Sequence, residues 1–409
     1  MKDKSVYLLI ATCIAFCRAA TAADWPNFRG PNHDGISSEA VNLGADSYVK
    51  PLWNKSLGYG CSSAAVTMGR LYTMANLGQK SDESTHYDIV YCLDAATGDK
   101  IWGRTYKCGL NFKSNTPAGP FATPTVDGNE VYTFSRKGDV FCLNAATGAV
   151  IWHRDLKEEL GLKPPFQGGF SGSPLILENM VILNAGDAGT ALDKRTGKVI
   201  WQSDAGEAAQ ATPVPYTSGS RQCVAIFSGY GLIAVDAADG QRLWSYPWDT
   251  KYKTNVADPI IADNKAFISA WYQMGCTLLD ISSNKPEVVW KNRQMQNHYN
   301  SCVLWKGCLY GFDIATLKCM DFATGRVKWS VAGLGRGGLI IAGGKLIVLS
   351  EKGELLIADA APTGFNPVLR TKIIENRCYA GPVLVNGRIY ARNDKGSFVC
   401  VSIESGGTK

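Results

Sequence analysis

The stretch Cys92-Leu93-Asp94-Ala95-Ala96-Thr97-Gly98-Asp99-Lys100-Ile101-Trp102 returns almost unchanged as Cys142-Leu143-Asn144-Ala145-Ala146-Thr147-Gly148-Ala149-Val150-Ile151-Trp152. It recurs at 192–201 and 235–244, more loosely at 280–290, 321–329 and 359–369, and partially from 401 to 406. A period of 40 to 50 residues identifies a repeat architecture and limits the fold more than any other property of the chain. Each copy is an apolar strand that ends in Asp or Asn, a side chain that starts a tight turn by bonding the backbone two residues on. Gly follows four residues later, where a positive φ costs it little. In the fifth copy Asn284 stands in the Gly position. The second strand of the hairpin ends on Trp, and Trp53, Trp102, Trp152, Trp201, Trp244, Trp290 and Trp329 share this position among 11 tryptophans in all. A ring repeated once per unit suits docking of each unit against its neighbour, worth roughly 3–5 kcal/mol against Ala when buried.

Two further strands precede each hairpin. Segments 379–390 and 121–132 each read as apolar strand, Asn-Gly or Asp-Gly turn, apolar strand, and other copies open at Ser62, Gly172, Ala211, Ala257, Asn300 and Gly337. The unit is therefore four antiparallel strands, and eight units predict an all-β, eight-bladed β-propeller over residues 51–406. Only seven outer strands follow the eight openings. The missing one is at the front, around Pro51 to Lys55, so the N-terminal strand is expected to complete the last blade and close the ring, removing free edges.

Ahead of the repeats, residues 1–23 read as an export signal: Lys2 and Lys4, an apolar run from Val6 to Phe16, and Ala20-Thr21-Ala22 as a cleavage site. The run is too short to span a bilayer, and no later stretch is long enough either. Thr12 and Phe16 occupy the positions before Cys13 and Cys17 where lipidation needs a small residue, so an exported protein of the periplasm or exterior, not a lipoprotein, is expected. Residues 24–50, rich in aromatics spaced by Pro, Gly and Asn, form an irregular extension expected to pack on a surface, with a lid over a pocket as the alternative. The net charge of +6 falls to +4 once Lys2, Asp3, Lys4 and Arg18 (net +2) are removed, too dilute for nucleic acid or an anionic membrane. A monomer is expected.

Of the 13 cysteines, Cys92, Cys142, Cys319 and Cys400 share a strand position and read as small buried hydrophobes. Cys61, Cys108 and Cys378 precede their units in loops, where one disulfide among the three is plausible and sequence cannot pair them. No Cys-x-x-Cys and no metal spacing among His33, His86, His153 and His298 occurs, so neither a metal site nor a catalytic set is assigned. The stretch from Gly333 to Gly338 matches Gly-x-Gly-x-x-Gly, but a strand pattern follows where a dinucleotide site needs a helix.

The Asp-x-x-Thr-Gly-x-x-x-Trp hairpin resembles the tryptophan-docking repeat of the pyrroloquinoline quinone (PQQ) propeller superfamily, and the leader from Asp24 to Pro31 resembles that of secreted bacterial PQQ-like propellers. The superfamily includes quinoprotein alcohol dehydrogenases and the non-enzymatic propeller lipoprotein of the outer-membrane barrel-assembly machinery. The resemblance implies fold and little chemistry, because the docking hairpin is a packing device. Under a quinoprotein reading the chain would need PQQ, calcium, cationic clamps and a catalytic Asp acting as base beside the metal.

Turns after strands two and four share one face, which carries the long connectors 76–88, 103–120 and 153–169, and binding residues concentrate on such loops. Residues entering the innermost strands are expected to ring the channel mouth there: Cys61, Phe121, Ser171, Gln210, Asn255, Asp258, His298, Asn300, Arg336 and Tyr379. A ring with one carboxylate, one His and one Arg suits a small anionic ligand or a peptide segment, the alternative being a water-filled mouth. The function expected is a non-catalytic propeller of the cell envelope, without cofactor, that binds a protein or glycan through the long-loop face. The alternative is a PQQ- and calcium-dependent oxidoreductase acting on an alcohol or sugar.

Overall fold

A computed structural model describes residues 24–405 except 45, 80–81, 110–117 and 166–167. The segment read as an export signal lies outside them. Eight sheets radiate from a central axis. Seven consist of consecutive strands, at 65–107, 125–155, 175–202, 214–247, 260–292, 303–331 and 338–372; they are blades 1 to 7. Blade 8 joins 383–404 to the N-terminal strand Tyr48–Ser56, which pairs antiparallel with Ser397–Glu404 and closes the ring as expected.

The docking hairpin explains its own sequence. Trp102 Nε1 donates to Ala145 O of the next blade at 3.0 Å, and Trp53, Trp152, Trp201, Trp290 and Trp329 repeat this on Ala95, Lys194, Ala237, Phe322 and Ala361. The hairpin Gly of the receiving blade lies flat under the ring: a Cβ on Gly148 would sit 2.6 Å from the Trp102 indole. Its φ of 69° is the second reason for Gly there. Asn284 is not among the left-handed residues, so the fifth hairpin turns differently from the sequence expectation. Each Trp-bearing outer strand also carries a register shift beside the Trp, as between Cys92 and Leu93 opposite Trp102 and Lys100. Such a bulge re-aims the following side chain. It turns the indole toward the next blade and leaves Ile101, Ile151, Ile200 and Val289 exposed. Blade 7, with Leu369 in place of Trp, pairs without a shift.

The segment 24–44 departs from expectation. It does not lie on an outer surface; it enters the central channel from the short-turn face. Trp25 pairs with Val66 through two backbone bonds, and Pro26 O accepts from Val126 N, so the chain runs along the innermost strands of blades 1 and 2. It reverses between Arg29 and Gly35 and descends as Ile36–Ser37, parallel to the innermost strand of blade 7. Glu39 then accepts from Asn386 N and Gly387 N at the turn of blade 8. Arg29 holds the top of this plug: it donates to His33 O, Asp34 O and Cys302 O and lies 3.7 Å from the Asp258 carboxylate. Arg29→Ala is expected to loosen the plug alone. A local loss of about 2 kcal/mol makes amide exchange in 24–37 roughly thirtyfold faster with the blade strands unchanged, which hydrogen-exchange mass spectrometry measures.

Candidate functional site

A chain of hydrogen bonds links blades 1 to 6 around the channel at the start of the innermost strands. Ser63 N donates to Thr123 Oγ1, Thr123 N to Ser173 Oγ, Ser173 N to Thr212 Oγ1, Thr212 N to Asp258 Oδ1, and Asp258 N to Ser301 Oγ, at 2.8 to 3.1 Å. Blades 7 and 8 have Gly338 and Gly381 in the same position, and a Cβ on Gly338 would sit 2.6 Å from Gly381 Cα. A hydroxyl suffices for this belt in four blades; the fifth has a carboxylate. Its Oδ1 does the work of the hydroxyl and its Oδ2 faces Arg29.

Above the belt an open-mouthed cavity encloses about 930 Å³, solvent at its mouth included. Phe28 of the plug lines it from below and also lines a smaller cavity beside the plug. The two sides differ. Blades 3 and 4 contribute Ser171, Ser173, Gln210 and Thr212, and the start of blade 5 adds Thr254 and Asp258. From blade 5 through blade 6 to blade 8 runs an aromatic arc in which Trp271 and His298 have centroids 4.1 Å apart, His298 and Tyr299 3.9 Å, and Tyr299 and Tyr379 4.6 Å, with Tyr272 beside Trp271 at 4.6 Å.

Of the residues expected at the mouth, Cys61, Phe121, Ser171, Gln210, Asp258, His298, Asn300 and Tyr379 do line this cavity. Two sit differently. Asn255 is fully buried below the connector and donates to Ser228 O and Trp248 O, holding the loop of blade 4. Arg336 is not in the lining; its guanidinium lies 5.2 Å from the Trp271 ring centroid and its backbone N–H donates to Glu351. Asn300 is partly committed, donating to Gly337 O and Tyr379 O. Sequence reading missed Phe28, Trp271, Tyr272 and Tyr299. Trp271 had a signal: it is one of four tryptophans outside the docking position, on a turn whose Tyr272 and Gln273 have φ of 57° and 66°. Cys61, Cys108 and Cys378, the candidate disulfide set, are buried free thiols, and burial pushes each up to about 12.

Burial, with a smaller contribution from Arg336, holds His298 down at about 3, so the ring is neutral at physiological pH. Burial raises Asp258 to about 6 against the lowering effects of Arg29 and Thr212. The folded protein therefore holds this proton more tightly than the unfolded chain. The stability it contributes is complete below about 4 and is lost as pH rises through about 6. Asp258→Asn keeps the acceptor for Thr212 N and removes the titration. The stability difference between wild type and variant is expected to shift by about 2–3 kcal/mol in the variant's favour from pH 4 to pH 7, read from melting curves across that range; a flat difference would mean the carboxyl does not titrate there.

Among the described residues no group of three or more His, Cys, Asp and Glu side chains is arranged to hold a metal ion, and no helix is long and apolar enough to cross a membrane. A family model described as "Outer membrane protein assembly factor BamB" matches residues 86–331. No curated protein sequence matches the chain. Among solved structures, BamB from Moraxella catarrhalis is similar with a TM-score of 0.63 at 16% identity, covering 88% of this chain and 100% of that one. The quinohemoprotein alcohol dehydrogenase of Comamonas testosteroni has a TM-score of 0.71 at 15% identity, covering 95% of this chain and 81% of that one. The computationally designed Ika8 protein has a TM-score of 0.59 at 13% identity, covering 84% and 98%. At such identities these likenesses show the fold alone.

Proposed function

The chain belongs to the family described as outer membrane protein assembly factor BamB, and from that premise we propose that it is a non-catalytic binding module of the cell envelope, exported, which holds part of a protein or glycan partner in the cavity of its long-loop face. The observation that carries this reading is the cavity itself: Phe28 of the plug beneath it, an aromatic arc together with hydroxyls and amides, and one carboxylate already engaged by Arg29. An assembly that holds a ligand needs no more than that. Acid–base or nucleophilic chemistry needs a second group within reach. His298 is a neutral ring stacked between Trp271 and Tyr299, and its Nδ1 has no hydrogen-bond partner among the described residues.

The dehydrogenase alternative asks for different residues. PQQ carries several carboxylates and would call for Lys or Arg in the lining; Arg336 lies across Trp271 and Arg29 beneath the cavity is committed to carbonyls and to Asp258. A calcium ion would call for several oxygen donors. Asn297 is tied to Phe312 O and Cys302, and Asp258 to Thr212 and Arg29. The described residues do not fit the group.

Titrating the protein with PQQ and calcium while following tryptophan fluorescence tests the reading, with dye-linked alcohol oxidation in parallel. No saturable change and no turnover are expected. Micromolar binding with turnover would replace the binding-module reading by the oxidoreductase one.

A further inference from the structure

The cavity is two-sided in a way that points to one kind of ligand. Trp271, Tyr272 and Tyr299 are half-buried rings along one stretch of the wall, with the buried Tyr379 behind Tyr299, while Ser171 of blade 3 and Thr212 of blade 4 stand among the hydroxyls of the rest. Asp258 is the one charged residue among the described residues of the lining, and the Arg29 guanidinium behind it offsets that charge at 3.7 Å. An ammonium ligand would need a carboxylate free of such a partner, and an anion would need a cation in the lining, whereas Arg336 lies on the Trp271 ring outside it. What remains is a neutral molecule with one apolar face and a polar edge.

We infer that the cavity is a saccharide site: a neutral pyranose ring lays its C–H face on the aromatic arc and turns its hydroxyls to the Ser, Thr and amide groups of the rest of the wall. Ser171 and Thr254 already donate to Gly169 O and Lys251 O, which leaves their oxygens as acceptors for sugar hydroxyls, and a solvent-open mouth leaves room for further units. The ring faces supply apolar contact without a change of charge. Arg336, lying on the Trp271 ring at 5.2 Å, fixes the orientation of that platform from outside the lining. The inference rests on the binding-module reading and narrows it.

The test is titration of the intact protein with glucose, galactose, mannose and N-acetylglucosamine and their linear trimers, followed by tryptophan fluorescence and calorimetry. At least one saccharide is expected to saturate. Trp271→Ala should weaken it about tenfold or more and Tyr272→Ala several-fold, with Trp271→Phe recovering part of the loss. Trp305→Ala, on the opposite face, should leave it unchanged. Circular dichroism melting identifies any variant that fails to fold, and Trp271→Phe then carries the test. Choline and a proline- and tyrosine-rich peptide are run alongside. Trp271-dependent binding of either in preference to every saccharide would overturn the inference while leaving the binding-module reading in place. Saturation by no saccharide at millimolar concentration would overturn it too. Oxidation of a bound sugar in the dye-linked assay would overturn both.

Discussion

Trp102→Ala is expected to lower the unfolding free energy by about 3–5 kcal/mol, the range for removing a buried aromatic ring. Trp102 is buried between blades 1 and 2, packs 6.0 Å from Tyr72 by centroid, covers Gly148 and donates to Ala145 O. Its removal opens a void at a blade junction, while Ala145 O keeps Arg70 Nη1 and the Tyr72 hydroxyl as donors. Neither neighbour can slide in to fill it, because both are sheets held at their inner strands by the belt of hydrogen bonds. Gly148→Ala attacks the same junction from the other side: a left-handed backbone costs a non-glycine residue about 1–2 kcal/mol, and the new methyl displaces the indole besides. Urea unfolding of both variants and their combination measures the coupling. The double variant should lose less than the sum, since once the ring is gone the methyl has nothing to strike. Strict additivity would mean the indole and the glycine do not form one contact.

Arg392→Leu should cost about 3 kcal/mol by leaving buried carbonyls unsatisfied. Arg392 is 2% exposed and spans the junction where the last blade meets the first. Its Nη1 donates to Ser62 O at 3.0 Å and Met74 O at 2.7 Å, and its Nη2 to Gly58 O at 3.2 Å. Burial brings its pKa down to about 10, so it remains charged at neutral pH. Relief of that desolvation offsets part of the loss, which is why the expected figure is below the sum of three orphaned carbonyls. Arg392→Lys, with one nitrogen in place of two, should lie between. If Arg392→Leu melts within about 1 kcal/mol of wild type, closure of the ring rests on the pairing of Tyr48–Ser56 with Ser397–Glu404 alone.

The eight blades were legible because their signals are local. An Asp, a Gly and a Trp within ten residues define each docking hairpin, and the count of strands, seven outer for eight inner, located the closing strand at Trp53 before any coordinate. The bulge beside each Trp was not legible, since a one-residue slip leaves composition unchanged. The plug was invisible for a different reason. Asp24 to Asp34 has no period, and its defining contacts join Arg29 to Asp258 and Cys302, more than two hundred residues away. At the mouth, most positions entering the innermost strands share one cavity lining, yet sequence could not separate Asn255 from Asp258. Three residues apart, one turns under its loop to cap carbonyls and the other turns to the cavity. Trp271 lies on a turn between the second and third strands, whose residues a reading confined to innermost strands leaves out.

A propeller with an open bore lets a linear molecule thread from one side to the other. Here Phe28 and the reversal at Arg29 to Gly35 stand in the bore beneath the cavity and obstruct that path. Whatever docks there must arrive and leave by the same opening. Only the tip of a polymer, or a side branch, can reach the bottom; the middle of a long chain can at most lie across the rim.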